Sequence, residues 1–130
     1  MRNLLLDTHV WIWLSIEAEE RLSQTAKRLI VETRQKWISV ISFWELAKLV
    51  EKGRISFSIP TDAWIRRSLS EFEMRVAELS PEVAVASTLL PGFHQDPADQ
   101  IIVATSKTLR IPLLTSDRKI LDSPHVEALW

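Results

Sequence analysis

The chain has 130 residues, a net charge of −1 and no cysteine. Its length suits one domain over residues 1–130, and its 46% hydrophobic and 25% charged residues are typical of a globular rather than a disordered protein. The lack of cysteine excludes disulfides and thiolate metal sites and favours a reducing cytoplasm. The Leu-Leu-Leu run at residues 4–6 is too short for a membrane span or a signal peptide.

The first half of the chain alternates short apolar strands with helices. Residues 3–6 are a predicted strand that stops at Asp7, and a helix follows at residues 10–14. Apolar residues at helical spacing predict a helix over residues 22–33. A second strand is predicted at residues 37–41, and the next helix runs from Ser42 to Lys52, with Gly53 closing it.

The second half repeats this alternation, and its boundaries follow from proline, serine and glycine. A helix is predicted over residues 61–73 after Pro60, then a strand at 75–79 and a helix that starts with Ser80 and Pro81. A loop marked by Pro91, Gly92 and Pro97 leads to a helix at 98–109. The last predicted elements are a strand at 112–115, a helical turn at 118–121 and a strand at 126–129. Alternating strands and helices predict a three-layer α/β/α sandwich around a parallel sheet of four to five strands.

Four acidic residues fall where the predicted strands end or the following helices begin. Asp7 and Asp117 follow the first and fourth strands, whereas Glu45 and Asp99 lie in the first turns of two helices. In a parallel sheet the carboxyl ends of the strands and the following helix N-termini share one edge, where ligands bind. The fold prediction therefore brings all four carboxylates to one rim.

Each acid also has a local structural interpretation. Ser42 and Glu45 have the spacing of a capping box. Asp96 is a helix N-cap, and Asp99 is favoured by the dipole of the same helix. The other two acids suit turns. Only their coincidence on one edge favours a functional site.

A cluster of four carboxylates requires a counter-charge. Two carboxylates about 4 Å apart repel by roughly 4 kcal/mol at an effective dielectric of about 20, and a helix N-terminus offsets only about 1 kcal/mol. Carboxylate oxygens are the ligands that Mg²⁺ and Mn²⁺ prefer. We therefore predict a divalent metal site, with Asp7 at a rigid strand end as the first choice for a direct ligand and Asp99 as the second.

Four segments resemble, in order and spacing, the successive motifs of PIN domains, and the likeness covers nearly the whole chain. The chain is similar in particular to the VapC-type toxins of bacterial toxin–antitoxin pairs. The matching segments are LLLDTHVW around Asp7, SFWEL around Glu45, DPADQIIVA around Asp99 and LLTSD ending at Asp117.

The resemblance implies the α/β/α sandwich and a Mg²⁺- or Mn²⁺-dependent endoribonuclease that cleaves RNA as the toxin of a type II toxin–antitoxin module. It assigns the four acids to the catalytic and metal-binding set, with Thr115 and Thr8 as supporting residues. It also implies a cognate antitoxin and a homodimer. Many relatives carry an arginine where this chain has Gln100, which puts a nearby phosphate or orienting contact in doubt.

An RNA substrate needs cations around the acidic site, because phosphate contacts dominate affinity. Lys48 lies one helical turn beyond the acid of its helix, and Arg118 and Lys119 follow the last acid. His94 and His9 flank the site in sequence, and each suits an RNA contact, a general acid or a local structural role.

The chain has six tryptophans, and packing in the core is the expectation for most of them. We expect Trp37 and Trp44 in the core. Trp11 and Trp13 lie two apart on a helix, so they cannot both face inward, and one is expected at a dimer or antitoxin surface.

Three rival functions share parts of this pattern. Phosphatases with an aspartate nucleophile need a second acid two residues later, but Asp7 is followed by Thr-His. A receiver-like module needs a phosphoacceptor after its central third strand, where Leu79 is followed by Ser-Pro. The third rival is a PIN-like module that has lost activity and only binds partners.

Overall fold

The computed structural model describes residues 1–130, in which strands and helices alternate in the predicted order. The elements are β1 (Asn3–Leu6), α1 (Thr8–Ser15), α2 (Gln24–Glu32), β2 (Gln35–Ser39), α3 (Val40–Glu51), α4 (Thr61–Glu71), β3 (Arg75–Ala77), α5 (Pro81–Ala86), α6 (Pro97–Leu109), β4 (Leu113–Leu114), α7 (Arg118–Leu121) and β5 (Ala128–Leu129). None of the seven helices combines the length and the apolar composition that a membrane crossing demands.

The five strands form one sheet in the order β3-β2-β1-β4-β5, and every neighbouring pair is parallel. The chain builds outward from β1 through β2 to β3, and then returns to the other side of β1 for β4 and β5. The topological switch point therefore lies at β1, between β2 and β4. We call the edge of the sheet formed by the carboxyl ends of β1, β2 and β4 the carboxyl edge.

Side chains of alternate strand residues pack into two apolar layers, one on each face of the sheet. Leu4 and Leu6 pack into a core formed with α1, α2 and α3, whereas Leu5 packs against Ile102 and Val103 of α6 on the opposite face. The residues of β1 after Asn3 are fully buried, as expected of a strand covered on both sides. The predicted α/β/α sandwich is confirmed, with five strands.

The start of α3 differs from the sequence-based prediction. The helix begins at Val40, because the Ser39 hydroxyl at the end of β2 accepts a hydrogen bond from the Ile41 backbone N–H and acts as the N-cap. Ser42 is a buried residue inside the helix rather than its cap. The capping-box interpretation was therefore wrong, and Glu45 lies in the second turn rather than the first.

The tryptophans near the sheet differ in how far they are buried. Trp44 is 55% exposed, so its expected place in the core was wrong; it lies two residues before the fully buried Leu46, and residues two apart on a helix point in different directions. Trp37 is partly buried and packs against the α6 side of the sheet. Trp11 is fully buried and Trp13 is only partly covered, as their spacing requires.

Candidate active site

A cavity of about 400 Å³ opens at the carboxyl edge and brings together the four predicted acids. They arrive from the end of β1, from α3, from α6 and from the start of α7. We call this space the acidic cavity. Its lining consists of Asp7, Thr8, His9, Ile12, Trp44, Glu45, Lys48, Leu49, Lys52, Asp99 and Asp117.

Asp7 is the most firmly held of the four acids and is only 2% exposed. Its backbone N–H donates to the carbonyl of Leu114 at 3.0 Å, which ties the end of β1 to β4. Its Oδ1 accepts a hydrogen bond from the Thr8 N–H at 2.8 Å, and its Oδ2 accepts one from Thr115 Oγ1 at 2.6 Å. Thr115 is fully buried, so the carboxylate is fixed from below the cavity.

Thr8 connects the first acid to α3. Its hydroxyl donates to Glu45 Oε1 and lies 2.7 Å from the hydroxyl of Ser42. Burial raises the pKa of Glu45; the hydrogen bond from Thr8 opposes that shift, and the charges of Asp7 and Asp96 add to it. Thr8 therefore orients a carboxyl whose ionised form the cavity disfavours.

Asp99 is the acid of the cluster whose pKa is shifted most. Burial, followed by the negative charges of Asp7, Asp96, Asp117 and Glu45, raises the pKa of its carboxyl to about 8. At neutral pH, in the absence of a cation, Asp99 therefore holds a proton that an isolated aspartate would have lost. A divalent cation would take the place of that proton.

Asp117 follows β4 and is the N-cap of α7. Its Oδ1 accepts a hydrogen bond from the Lys119 N–H at 2.9 Å, and its own N–H donates to Thr115 Oγ1 at 3.0 Å. Asp96 caps α6, as the sequence predicts, by accepting from the Asp99 N–H at 3.1 Å. Asp96 does not line the acidic cavity, although its charge acts on two acids that do.

The two histidines near the site have different surroundings. His9 Nε2 lies 2.9 Å from the hydroxyl of Ser116, and its Nδ1 lies 3.6 Å from Asp7 Oδ2, so the imidazole lies between the two residues. His94 Nε2 lies 3.1 Å from Asp99 Oδ2. Ligand atoms of His94, Asp99 and Asp117 all lie within 4.8 Å of one another.

Cations border the acidic cavity on one side only. Lys48, as predicted, and Lys52, which the sequence analysis missed, both line it. Lys52 is the C-cap residue of α3 and follows Lys48 by four residues; this spacing is the signal that would have identified it, because such residues share a helical face. Lys119 lines a neighbouring cavity with His94. Arg118 lines neither cavity; its side chain is 81% exposed and faces Asp122 at 4.0 Å.

The donor chemistry of the cavity fits a hard divalent cation. Four carboxyl groups converge, and both pKa shifts resolved among them are upward, so their mutual repulsion and burial remain uncompensated. Oxygen ligands of this kind suit Mg²⁺ or Mn²⁺. The two lysines lie on the α3 side, and neither Asp99 nor Asp117 pairs with a lysine or an arginine; the nearest basic group to Asp99 is the His94 imidazole, at 3.1 Å.

Comparison with known proteins agrees with this arrangement. A family model described as "PIN domain" matches residues 4–125. Ribonuclease VapC22 of Mycobacterium tuberculosis (strain ATCC 25618 / H37Rv) is 37% identical over 126 residues, which cover 96% of this chain and 95% of that protein.

Two solved structures show the same fold at low sequence identity. VapBC2 from Rickettsia felis, bound to a DNA fragment from its promoter, matches with a TM-score of 0.73 and 16% identity over 98% of this chain and 97% of that chain. A toxin–antitoxin complex from Klebsiella pneumoniae matches with a TM-score of 0.67 and 23% identity over 98% and 96%. The family model and the 37% identical relative each extend over nearly all residues, and the chain therefore belongs to the PIN domain family.

Proposed function

We propose that this chain is a divalent-metal-dependent endoribonuclease, the toxin of a type II toxin–antitoxin module, with residues 1–130 acting as one nuclease domain. The convergence of Asp7, Glu45, Asp99 and Asp117 in one cavity carries the proposal. The 37% identical relative is named a ribonuclease, which supports RNA as the substrate. We place the activity in the cytoplasm, where an RNA-cleaving toxin meets its substrate.

The four acids have different proposed roles in metal binding, which follow from how each side chain is held. Asp7 is fixed by Thr115 and by the backbone, so it is the proposed permanent metal ligand. Asp99 would become a ligand on losing its proton, and Glu45 and Asp117 would complete the set. A bound Mg²⁺ or Mn²⁺ supplies Lewis acidity, lowering the pKa of a bound water molecule and stabilising negative charge on the phosphate.

The α3 side of the cavity is the proposed RNA surface. Lys48 and Lys52 would contact phosphates, since such contacts dominate nucleic-acid affinity. Trp44 is exposed beside them, with the Lys48 ammonium 5.8 Å from the centre of its ring. An exposed aromatic face next to cations suits stacking of an unpaired base. Arg118 and Lys119 do not line the acidic cavity and would contact only a longer substrate.

The proposed protein partners are a cognate antitoxin and a second copy of the chain. This proposal rests on the structural relatives, one of which is named as a VapBC complex and another as a toxin–antitoxin complex. Mixing the purified chain with the product of an adjacent antitoxin-like reading frame tests it, since a stable complex should elute earlier in size-exclusion chromatography.

The structure also bears on the rival functions. In a receiver-like module the third strand is central, whereas here β3 lies at the edge of the sheet. No second acid follows Asp7 at the spacing that the phosphatase mechanism needs. An inactive PIN-like module would have no need of a complete acidic set, and all four acids face one cavity here.

A cleavage assay separates the active enzyme from the inactive module. Chelator-treated protein is incubated with a mixed-sequence RNA in the presence of Mg²⁺, Mn²⁺ or EDTA. We expect cleavage with Mg²⁺ or Mn²⁺ and none with EDTA. RNA that stays intact with both metals, in protein that still binds it, would indicate a binding module and contradict the proposal.

A further inference from the structure

His94 has an unusual environment at the margin of the acidic cavity. Its Nε2 atom is shielded from solvent and makes no hydrogen bond, although it lies 3.1 Å from Asp99 Oδ2. A buried polar atom without a partner is costly, so an atom of this kind generally has a partner in the working protein. The unpartnered Nε2 atom of His94 lies next to the carboxylates of Asp99 and Asp117.

The position of His94 is fixed by its neighbours. The Gln100 side-chain N–H donates to the His94 carbonyl at 3.0 Å, and the imidazole packs against the buried ring of Phe93 with 4.5 Å between ring centroids. Gln100 therefore anchors the loop that holds His94 beside Asp99.

The distances fit two ligands of one metal ion. Ligand atoms about 2.1 Å from an octahedral cation and at right angles to each other lie about 3.0 Å apart. The separation between His94 Nε2 and Asp99 Oδ2 is 3.1 Å, and one ligand atom from each of His94, Asp99 and Asp117 lies within 4.8 Å of the other two. A direct hydrogen bond between His94 and Asp99 would also bring these two atoms this close together, but the atoms do not have the angles that a hydrogen bond requires.

We propose that His94 Nε2 is a nitrogen ligand to a divalent cation held with Asp99 and Asp117, and that it makes the site prefer Mn²⁺ to Mg²⁺. Imidazole nitrogen is a ligand of transition metals, whereas Mg²⁺ takes oxygen ligands almost exclusively. The inference rests on the proposed metal-dependent function and adds a ligand to the acidic set. It assigns this histidine to the metal rather than to the RNA.

Electron spin-echo envelope modulation of bound Mn²⁺ tests the assignment directly. Protein without an affinity tag is loaded with less than one equivalent of Mn²⁺. We expect modulation from a directly bound nitrogen, and we expect its frequencies to change when the protein is labelled with ¹⁵N-histidine. His94→Gln should lose the modulation, while His9→Gln and His125→Gln should keep it; His125 is partly buried, and its Nε2 lies 2.7 Å from the Pro91 carbonyl oxygen.

Metal affinity provides a second readout that a purely structural role would not give. His94→Gln should weaken Mn²⁺ binding by roughly tenfold or more, since even outer-shell partners of metal ligands are worth about 10- to 100-fold. Its Mg²⁺ affinity, measured by competition, should change by less than about threefold, and circular dichroism should match the wild type. Comparable losses of affinity for both metals would indicate a structural role and overturn the assignment.

The outcomes also separate this inference from the proposed function. Mn²⁺ that binds without histidine nitrogen coupling overturns the role of His94 and leaves the acidic metal site standing. A nitrogen signal that disappears in His9→Gln instead of His94→Gln overturns it equally. Protein that binds neither Mn²⁺ nor Mg²⁺ would contradict both the inference and the metal-dependent function.

Discussion

Thr115 Oγ1 donates a hydrogen bond to Asp7 Oδ2 at 2.6 Å and accepts one from the Asp117 backbone N–H at 3.0 Å. One buried hydroxyl therefore fixes the relative position of two acids that follow the neighbouring strands β1 and β4. Side chains held in this way need not reorganise when a cation binds.

Replacing Thr115 by valine tests this link, because valine keeps the shape and removes the hydroxyl. We expect the free energy of unfolding to fall by about 1–3 kcal/mol, since a buried carboxylate loses its donor. We expect Mg²⁺ affinity to fall by about 10- to 100-fold, as for other groups that orient metal ligands. Urea unfolding and isothermal titration calorimetry measure the two effects.

Thr105→Val is the matched control, because the hydroxyl of Thr105 is also buried but donates to the Ile101 carbonyl within α6. It should leave Mg²⁺ affinity unchanged. If both valine variants bind Mg²⁺ like the wild type, Thr115 does not position the acids.

The raised pKa of Asp99 predicts how the stability of the metal-free protein depends on pH. Between its ordinary value of 3.8 and its folded value of about 8, the folded state holds a proton that the unfolded state has lost. The free energy of unfolding contributed by this group is therefore full below about pH 4 and falls as the pH rises towards 8. Urea unfolding in EDTA across this range measures the trend.

Asp99→Asn isolates the contribution of this carboxyl, because asparagine stays neutral. The variant and the wild type should be similarly stable near pH 4, and the variant should be the more stable of the two at pH 8. Glu45, whose pKa is also raised, adds a trend of the same sign to both proteins. A stability difference that does not grow with pH would show that Asp99 titrates normally.

Because lysines border the acidic cavity, RNA affinity should fall as the salt concentration rises. Each phosphate contact contributes about 0.7 to the slope of log affinity against log salt for a single strand. Lys48→Gln and Lys52→Gln should each lower the slope by about that amount and raise KM more than they lower kcat. Lys107→Gln, on the exposed part of α6, is the control and should leave the slope unchanged.

Trp44 should matter for RNA binding and little for stability. It is exposed, so Trp44→Ala should change the free energy of unfolding by no more than about 0.5 kcal/mol. Loss of one stacked base should weaken RNA affinity by about 1–3 kcal/mol. Trp44→Phe keeps an aromatic face and should retain most of the affinity; equal losses for both variants would exclude stacking.

The sequence was sufficient to predict the parallel α/β sandwich and the meeting of the four acids in space. Both predictions depend on short apolar strands and on the rule that the carboxyl ends of parallel strands share an edge. Asp7 directly follows β1, and Asp117 is separated from β4 by only two residues, so small errors in the strand bounds did not move them.

The surroundings of α3 were predicted less well, for a local physical reason. Ser39 and Ser42 are both good N-cap residues three positions apart, and the choice depends on where β2 leaves the sheet. Ser42 is used instead to contact Thr8, a contact between elements 34 residues apart.

The rate of RNA cleavage by Asp7→Asn tests the central claim most directly, because asparagine keeps the size of the side chain and removes the charge that the metal needs. Single-turnover cleavage with saturating Mg²⁺ is compared between this variant, the wild type and Asp122→Asn, an exposed acid outside the cavity. We predict that Asp7→Asn is slower by about 100-fold or more while Asp122→Asn cleaves normally. Cleavage by folded Asp7→Asn at the wild-type rate would contradict the account.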